Sequence, residues 1–173
     1  MLSLILVMGT FCIPASAAAK SIKKATVSVA TAIYTGKALK PTVKVKLSGK
    51  TLSSKYYTVK YTNNKNIGKA TVTIKFKGNY SGTKTLTFKI NPAKTTVSKV
   101  TPATKSLKVS ITKKSTQVTG YQVQYSTSKT FKSVKTVNIS SYKTTSTTIK
   151  SLKAKTTYYV RVRTYKTVGG VKY

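Results

Sequence analysis

The sequence predicts an all-β protein built as two small antiparallel β-sandwich-type modules in tandem after an N-terminal signal peptide. Three observations carry this expectation. Apolar residues alternate with Thr and Lys at a period of two through each patterned segment. Glycine and asparagine clusters end those segments. No stretch keeps a helical period over three turns.

The chain opens on an apolar run from Leu2 to Ile13, broken by Pro14 and followed by Ala15, Ser16, Ala17, Ala18 and Ala19. This is the order of a hydrophobic region and a small-residue cleavage site, so residues 1–19 are expected to be a signal peptide cut after Ala17 or Ala19. No Lys or Arg precedes the run, which suggests a start assigned late or a missing N-terminal piece. The alternative is a membrane helix, for which the run is short against the ~20 residues a crossing needs. Cys12 is the single cysteine. It falls inside the segment expected to be removed, and Phe11 before it does not suit a lipoprotein box. The mature chain is therefore expected to lack disulfides and to hold no membrane span.

Residues 20–90 make the first expected module. Ala25, Val27 and Val29 share one face of a strand; Val43, Val45 and Leu47 repeat the pattern against Lys44 and Lys46, and Ser48-Gly49 turns the chain. Tyr57, Val59 and Tyr61 form a third row, followed by an asparagine-rich loop from Thr62 to Gly68. Ala70, Val72, Ile74 and Phe76 then lead through Gly78-Asn79-Tyr80-Ser81-Gly82 to Leu86, Phe88 and Ile90. Asn91-Pro92-Ala93-Lys94 reads as a short, stiff linker, because proline lacks a donor and restricts the residue before it. The second module, residues 95–173, repeats the alternation at Leu107, Val109 and Ile111; Tyr121, Val123 and Tyr125; Val137 and Ile139; and Tyr158, Val160 and Val162. Each module has a size at which one core gives only ~3–5 kcal/mol. With 12 tyrosines against four phenylalanines, the aromatic core falls to Tyr57, Tyr61, Phe76 and Phe88 in the first module and to Tyr121 and Tyr125 in the second.

Charge sets the limits on function. The chain has 33 basic residues, two of them arginine, and no Asp, Glu or His. No ion pair between side chains can form, and self-repulsion opposes folding. Carboxylate or imidazole acid–base catalysis is excluded, as are a carboxylate calcium cage and a zinc site of His or Cys in the mature chain. A Ser–Lys or Thr–Lys pair is what the composition leaves for catalysis, and no constellation marks either. No cofactor is expected. Arg161 and Arg163 alternate with Val160 and Val162, so they are expected to be solvated residues on an outward strand face.

Through the motifs Gly120 to Ser126 and Leu152 to Arg163, the second module resembles a fibronectin type III domain of the kind found in surface proteins of Clostridia-like Gram-positive bacteria. Gly120-Tyr121-Gln122-Val123-Gln124-Tyr125-Ser126 is similar to that family's third strand. Leu152-Lys153-Ala154-Lys155-Thr156-Thr157-Tyr158, followed by Tyr159-Val160-Arg161-Val162-Arg163, is similar to its tyrosine corner and sixth strand. The resemblance implies that Tyr158 is a buried corner whose hydroxyl bonds to nearby backbone. It places Ile111 where the family usually has tryptophan, and it leaves Val171-Lys172-Tyr173 as the beginning of an incomplete last strand. The first module resembles a bacterial immunoglobulin-like surface repeat. The residues that carry this are Tyr34-Thr35-Gly36-Lys37-Ala38-Leu39-Lys40-Pro41, Tyr57 to Asn64, Ile67-Gly68-Lys69-Ala70 and Gly78 to Gly82, with Tyr56 where an aspartate is usual.

These resemblances imply a non-catalytic structural or interaction module, secreted or on the cell surface. Its expected partners are anionic cell-wall polymers or another extracellular macromolecule. Two alternatives stand beside this. Tyr56, Tyr80, Tyr142 and Tyr159 would serve a carbohydrate-binding module if exposed. The cations would also bind nucleic acid without sequence preference, whereas two arginines and no reading helix argue against specific recognition.

Overall fold

The computed structural model describes residues 19–173. The expected signal peptide lies outside the described residues up to Ala18. The first half contains β1 (Lys20–Ser21), β2 (Ala25–Val29), β3 (Ala32–Ile33), β4 (Val43–Leu47), β5 (Lys50–Thr51), β6 (Tyr57–Thr62), β7 (Gly68–Phe76), β8 (Tyr80–Ser81) and β9 (Thr83–Asn91). The second half contains β10 (Val97–Ala103), β11 (Ser106–Ile111), β12 (Gly120–Ser126), β13 (Lys135–Ile139), β14 (Ser146–Ile149), β15 (Tyr159–Tyr165), β16 (Thr167–Val168) and β17 (Val171–Lys172). The architecture is all-β, as the alternation predicts.

In the first half, β2, β4 and β5 form one sheet, and β3, β9, β7 and β6 form the other in that order. The strand β7 is central and alternates cleanly. Gly68, Ala70, Val72, Ile74 and Phe76 are buried, while Lys69 and Lys75 are exposed. One cluster joins both sheets, with Ala25 and Val45 from the first and Ala70, Val72, Ile74, Phe76, Phe88 and Ile90 from the second. The reading of antiparallel strands needs one correction. The pairs β3–β9 and β1–β8 are parallel. After Val29 the chain leaves the edge of one sheet, and Ala32 joins the edge of the other beside Ile90. A two-residue pairing of this kind leaves no alternation to read.

The second half has a sheet of β10, β11 and β14 and a sheet of β13, β12 and β15. Its core holds Val109, Ile111, Val118, Tyr121, Val123, Ile139, Ile149 and Leu152. The segment read as the beginning of a last strand forms a hairpin, β16–β17. Lys166 and Tyr173 exchange backbone hydrogen bonds beside it, at 3.1 and 2.9 Å. Of the segment expected to be a linker, Asn91 ends β9, Pro92 is buried, and the Ala93 carbonyl accepts a bond from Thr164 Oγ1 at 2.7 Å.

Candidate anion-binding face

The outer face of the β13–β12–β15 sheet follows from alternation. Tyr121 and Val123 on β12, Val160 and Val162 on β15, and Val137 and Ile139 on β13 pack into the second core. The residues between them point out. Register sets Gln122 opposite both Asn138 and Arg163, and Gln124 opposite both Thr136 and Arg161. Side chains directly across a ladder are close enough to bond, and here they form two parallel rows. Arg163 Nε donates to Gln122 Oε1 at 2.6 Å, and Gln122 Nε2 donates to Asn138 Oδ1 at 2.7 Å. Arg161 Nε donates to Gln124 Oε1 at 2.7 Å, and Gln124 Nε2 donates to Thr136 Oγ1 at 3.4 Å.

The first of these rows stands free, and the second has a support. The Arg161 guanidinium lies over the Phe131 ring, 4.2 Å from its centroid. Phe131 has a φ of 55°, a left-handed conformation that bulky residues rarely adopt. The turn that holds it there is bonded throughout. Ser128 N donates to Ser126 Oγ at 3.0 Å, and Phe131 N donates to the Ser128 carbonyl at 2.9 Å. Both arginines remain exposed. Gln122, Gln124, Arg161, Val162 and Arg163 line a shallow depression of about 290 Å³. The other flank of β15 opens on a cavity of about 540 Å³ whose lining includes Lys94, Arg161, Arg163 and Tyr173. Both arginines are exposed on an outward strand face, as expected, and each is hydrogen-bonded through Nε.

The residues singled out from the sequence fall elsewhere, in the cores beneath and beside this face. Tyr158 accepts a bond from Lys153 N at 3.1 Å and packs at a tilt against Tyr125, with ring centroids 6.2 Å apart. It is half-buried, not buried as expected, because its hydroxyl end reaches the exposed Lys153 backbone. Leu152 and Ile111 are buried, and Val123 is fully so. Tyr121 is fully buried. Lys114 N donates to its hydroxyl at 2.9 Å, and that hydroxyl lies 3.1 Å from the carbonyls of both Lys114 and Tyr142. In the first half, Tyr57 packs on Phe76 and Tyr61 on Phe88, each pair 6.2 Å between centroids. The Tyr61 hydroxyl donates to the Pro41 carbonyl at 2.6 Å, and burial pushes its pKa above 10.0.

The four tyrosines considered for sugar stacking are all half-buried. Tyr56 and Tyr80 meet edge to face, 5.1 Å apart, and pack against the first core. Tyr142 packs against the second. The signal for the arginine rows was present in the sequence as Gln122-x-Gln124 and Arg161-x-Arg163 at equal spacing. It pairs the two motifs only once the strand register is known.

Comparison with known proteins agrees with the second-half architecture. Residues 90–173 match the fibronectin type III domain family. Among solved structures, the chain is similar to the crystal structure of chicken CNTN1 FN1-FN3 domains, at 16% identity and a TM-score of 0.39. That alignment covers 86% of this chain and 62% of the other. No curated protein matches the chain.

Proposed function

We propose that the chain is a non-catalytic structural and interaction module of a secreted or surface-exposed bacterial protein, held to anionic cell-wall polymers by its positive charge. Fibronectin type III domains are general extracellular modules that typically carry no catalysis, which supports the first part of this reading. Residues 20–90 are taken as the immunoglobulin-like partner module, of the type found in Clostridia-like Gram-positive surface proteins. The observation that carries the second part is the charge: 33 cations and no acidic side chain. Lysines stand on the outward faces of both halves, among them Lys44, Lys46, Lys69 and Lys75 in the first and Lys108 and Lys150 in the second. Lysine lays its methylenes along a strand and keeps its ammonium in water, where a polyanion can reach it.

Titration against sodium chloride tests this. Affinity for an anionic wall polymer should fall linearly with salt on logarithmic axes, as counterion release requires. The melting temperature of the same preparation should rise, because added salt shortens the ~8–10 Å range over which exposed lysines repel one another. The two trends run in opposite directions. Binding that persists above about 0.5 M salt, where screening is strong, would overturn the charge-driven reading.

A further inference from the structure

We infer that Arg161 and Arg163 form a fixed two-guanidinium site for the phosphate groups of a linear phosphodiester polymer. The inference rests on the proposed attachment to anionic polymers and adds a specific place where the polymer is gripped.

Arg161 and Arg163 have no acidic side chain to pair with. They are the only arginines in the chain, and they stand two residues apart on one strand face. Alternate residues of a strand are separated by roughly 6.5–7 Å, so like charges are held close together. Such an arrangement is unfavourable for the free protein and favours an anion that bridges the pair.

The geometry then fixes which atoms are offered. Each guanidinium is bonded through Nε, to Gln124 in one case and Gln122 in the other. Neither Nη group has a hydrogen-bond partner among the described residues, so the outer edge of each fork remains open. That edge presents parallel donors that take two oxygens of one phosphate at once, which an ammonium cannot do. The bonds at Nε and the stacking of Arg161 on Phe131 remove rotamer freedom before the ligand arrives, and this lowers the entropic cost of binding.

A phosphodiester chain suits the spacing. Each phosphate has two unesterified oxygens for one fork, and a short polyol link sets successive phosphates at a separation comparable to alternate strand residues. Lys94, on the adjoining cavity with both arginines, continues the positive track past the pair.

The test uses the full chain and a synthetic glycerol-phosphate oligomer, with the double substitution Arg161→Lys/Arg163→Lys. That variant keeps the net charge and removes the forks. Affinity should fall about tenfold at fixed salt, with the slope of log affinity against log salt unchanged. Heparin affinity should fall by less than a third of that factor. Separately, inorganic phosphate should shift the Arg Nε–H resonances of the parent chain. Equal oligomer affinity for parent and variant would overturn the site and leave the charge reading standing. An equal or larger loss on heparin would overturn the phosphate assignment in favour of sulfate esters. If the parent chain ignores the oligomer altogether, the proposed attachment fails, and the arginine resonances then decide separately whether the pair binds phosphate. Unshifted arginine resonances would overturn the pair as a phosphate site.

Discussion

Removing the Tyr121 hydroxyl should cost more stability than removing the Tyr158 hydroxyl, although the family resemblance points to Tyr158. Tyr121 is 0% exposed and its oxygen lies within bonding distance of Lys114 N, the Lys114 carbonyl and the Tyr142 carbonyl. It thereby ties the segment between β11 and β12 to the segment between β13 and β14. In Tyr121→Phe the ring stays, so the apolar packing is nearly conserved. What is lost is the acceptor for an inward N–H and the donor for a carbonyl, in a place water does not easily enter. A buried donor left unsatisfied costs about 1–3 kcal/mol, against ~1 kcal/mol for an ordinary bond. Tyr121→Phe should therefore lose about 2–3 kcal/mol. Tyr158 makes one bond, at a half-buried site where water can replace it, so Tyr158→Phe should lose about 1 kcal/mol or less. For a domain of this size each kcal/mol lowers the melting temperature by about 4–8 °C. Denaturant melts at fixed salt, reading the transition of the second half, measure both. Equal losses, or a larger loss for Tyr158→Phe, would refute the assignment of Tyr121 as the hydrogen-bonded anchor.

Two further substitutions probe packing and protonation. At Gly120 a Cβ would sit 2.0 Å from the Ile139 carbonyl oxygen and 3.0 Å from the Tyr165 hydroxyl, so Gly120→Ala should push β13 away from β12. A loss of at least about 1–3 kcal/mol in a denaturant melt is expected, the cost of overpacking against backbone that cannot yield. At Tyr61 the raised pKa means the folded chain holds that proton more tightly than the unfolded chain. Its contribution is full below pH 10 and is lost as pH rises through the higher folded value. The stability difference between the parent chain and Tyr61→Phe, about 1 kcal/mol at neutral pH, should therefore shrink in alkaline melts; a constant difference would refute the coupling.

Legibility in the sequence followed the length and regularity of each strand. The nine-residue β7 and β9 were read with their facing residues in phase, because one row is apolar and the other is Lys and Thr. Of the second-half strands that the alternation does not show, β10 and β14 escape it for identifiable reasons. In β10 the register shifts between Val97 and Lys99, so its valines fall out of a period of two. In β14 the residues Ser146, Thr147 and Thr148 precede a single apolar one, so no hydrophobic row exists to detect. The arginine face was invisible for another reason. Its members lie on three strands, and only the register brings Gln122 between Asn138 and Arg163. Gly120 was read as part of a motif, while the reason for glycine there is the close approach of Ile139 and Tyr165 from neighbouring strands.

The missing acidic residues link stability to recognition. In most folds a surface cation answers to a carboxylate, and specificity is divided between attraction inside the chain and attraction to a partner. Here the side-chain cations can be met only by neutral dipoles and aromatic rings. Lys84 donates to the Ala25 carbonyl, Lys55 lies 5.0 Å from the Tyr56 ring centroid, and Lys172 lies 4.9 Å from that of Tyr165. Such contacts position a cation without cancelling its charge. Exposed lysines hold a polyanion without fixing its register. Arg161 and Arg163 break that pattern, since each is oriented by its hydrogen bond through Nε. A polyanion should therefore be attracted by the whole surface and oriented at one face. Neutralising lysines should change how steeply binding depends on salt. Replacing the two arginines by lysine should change affinity without changing that dependence.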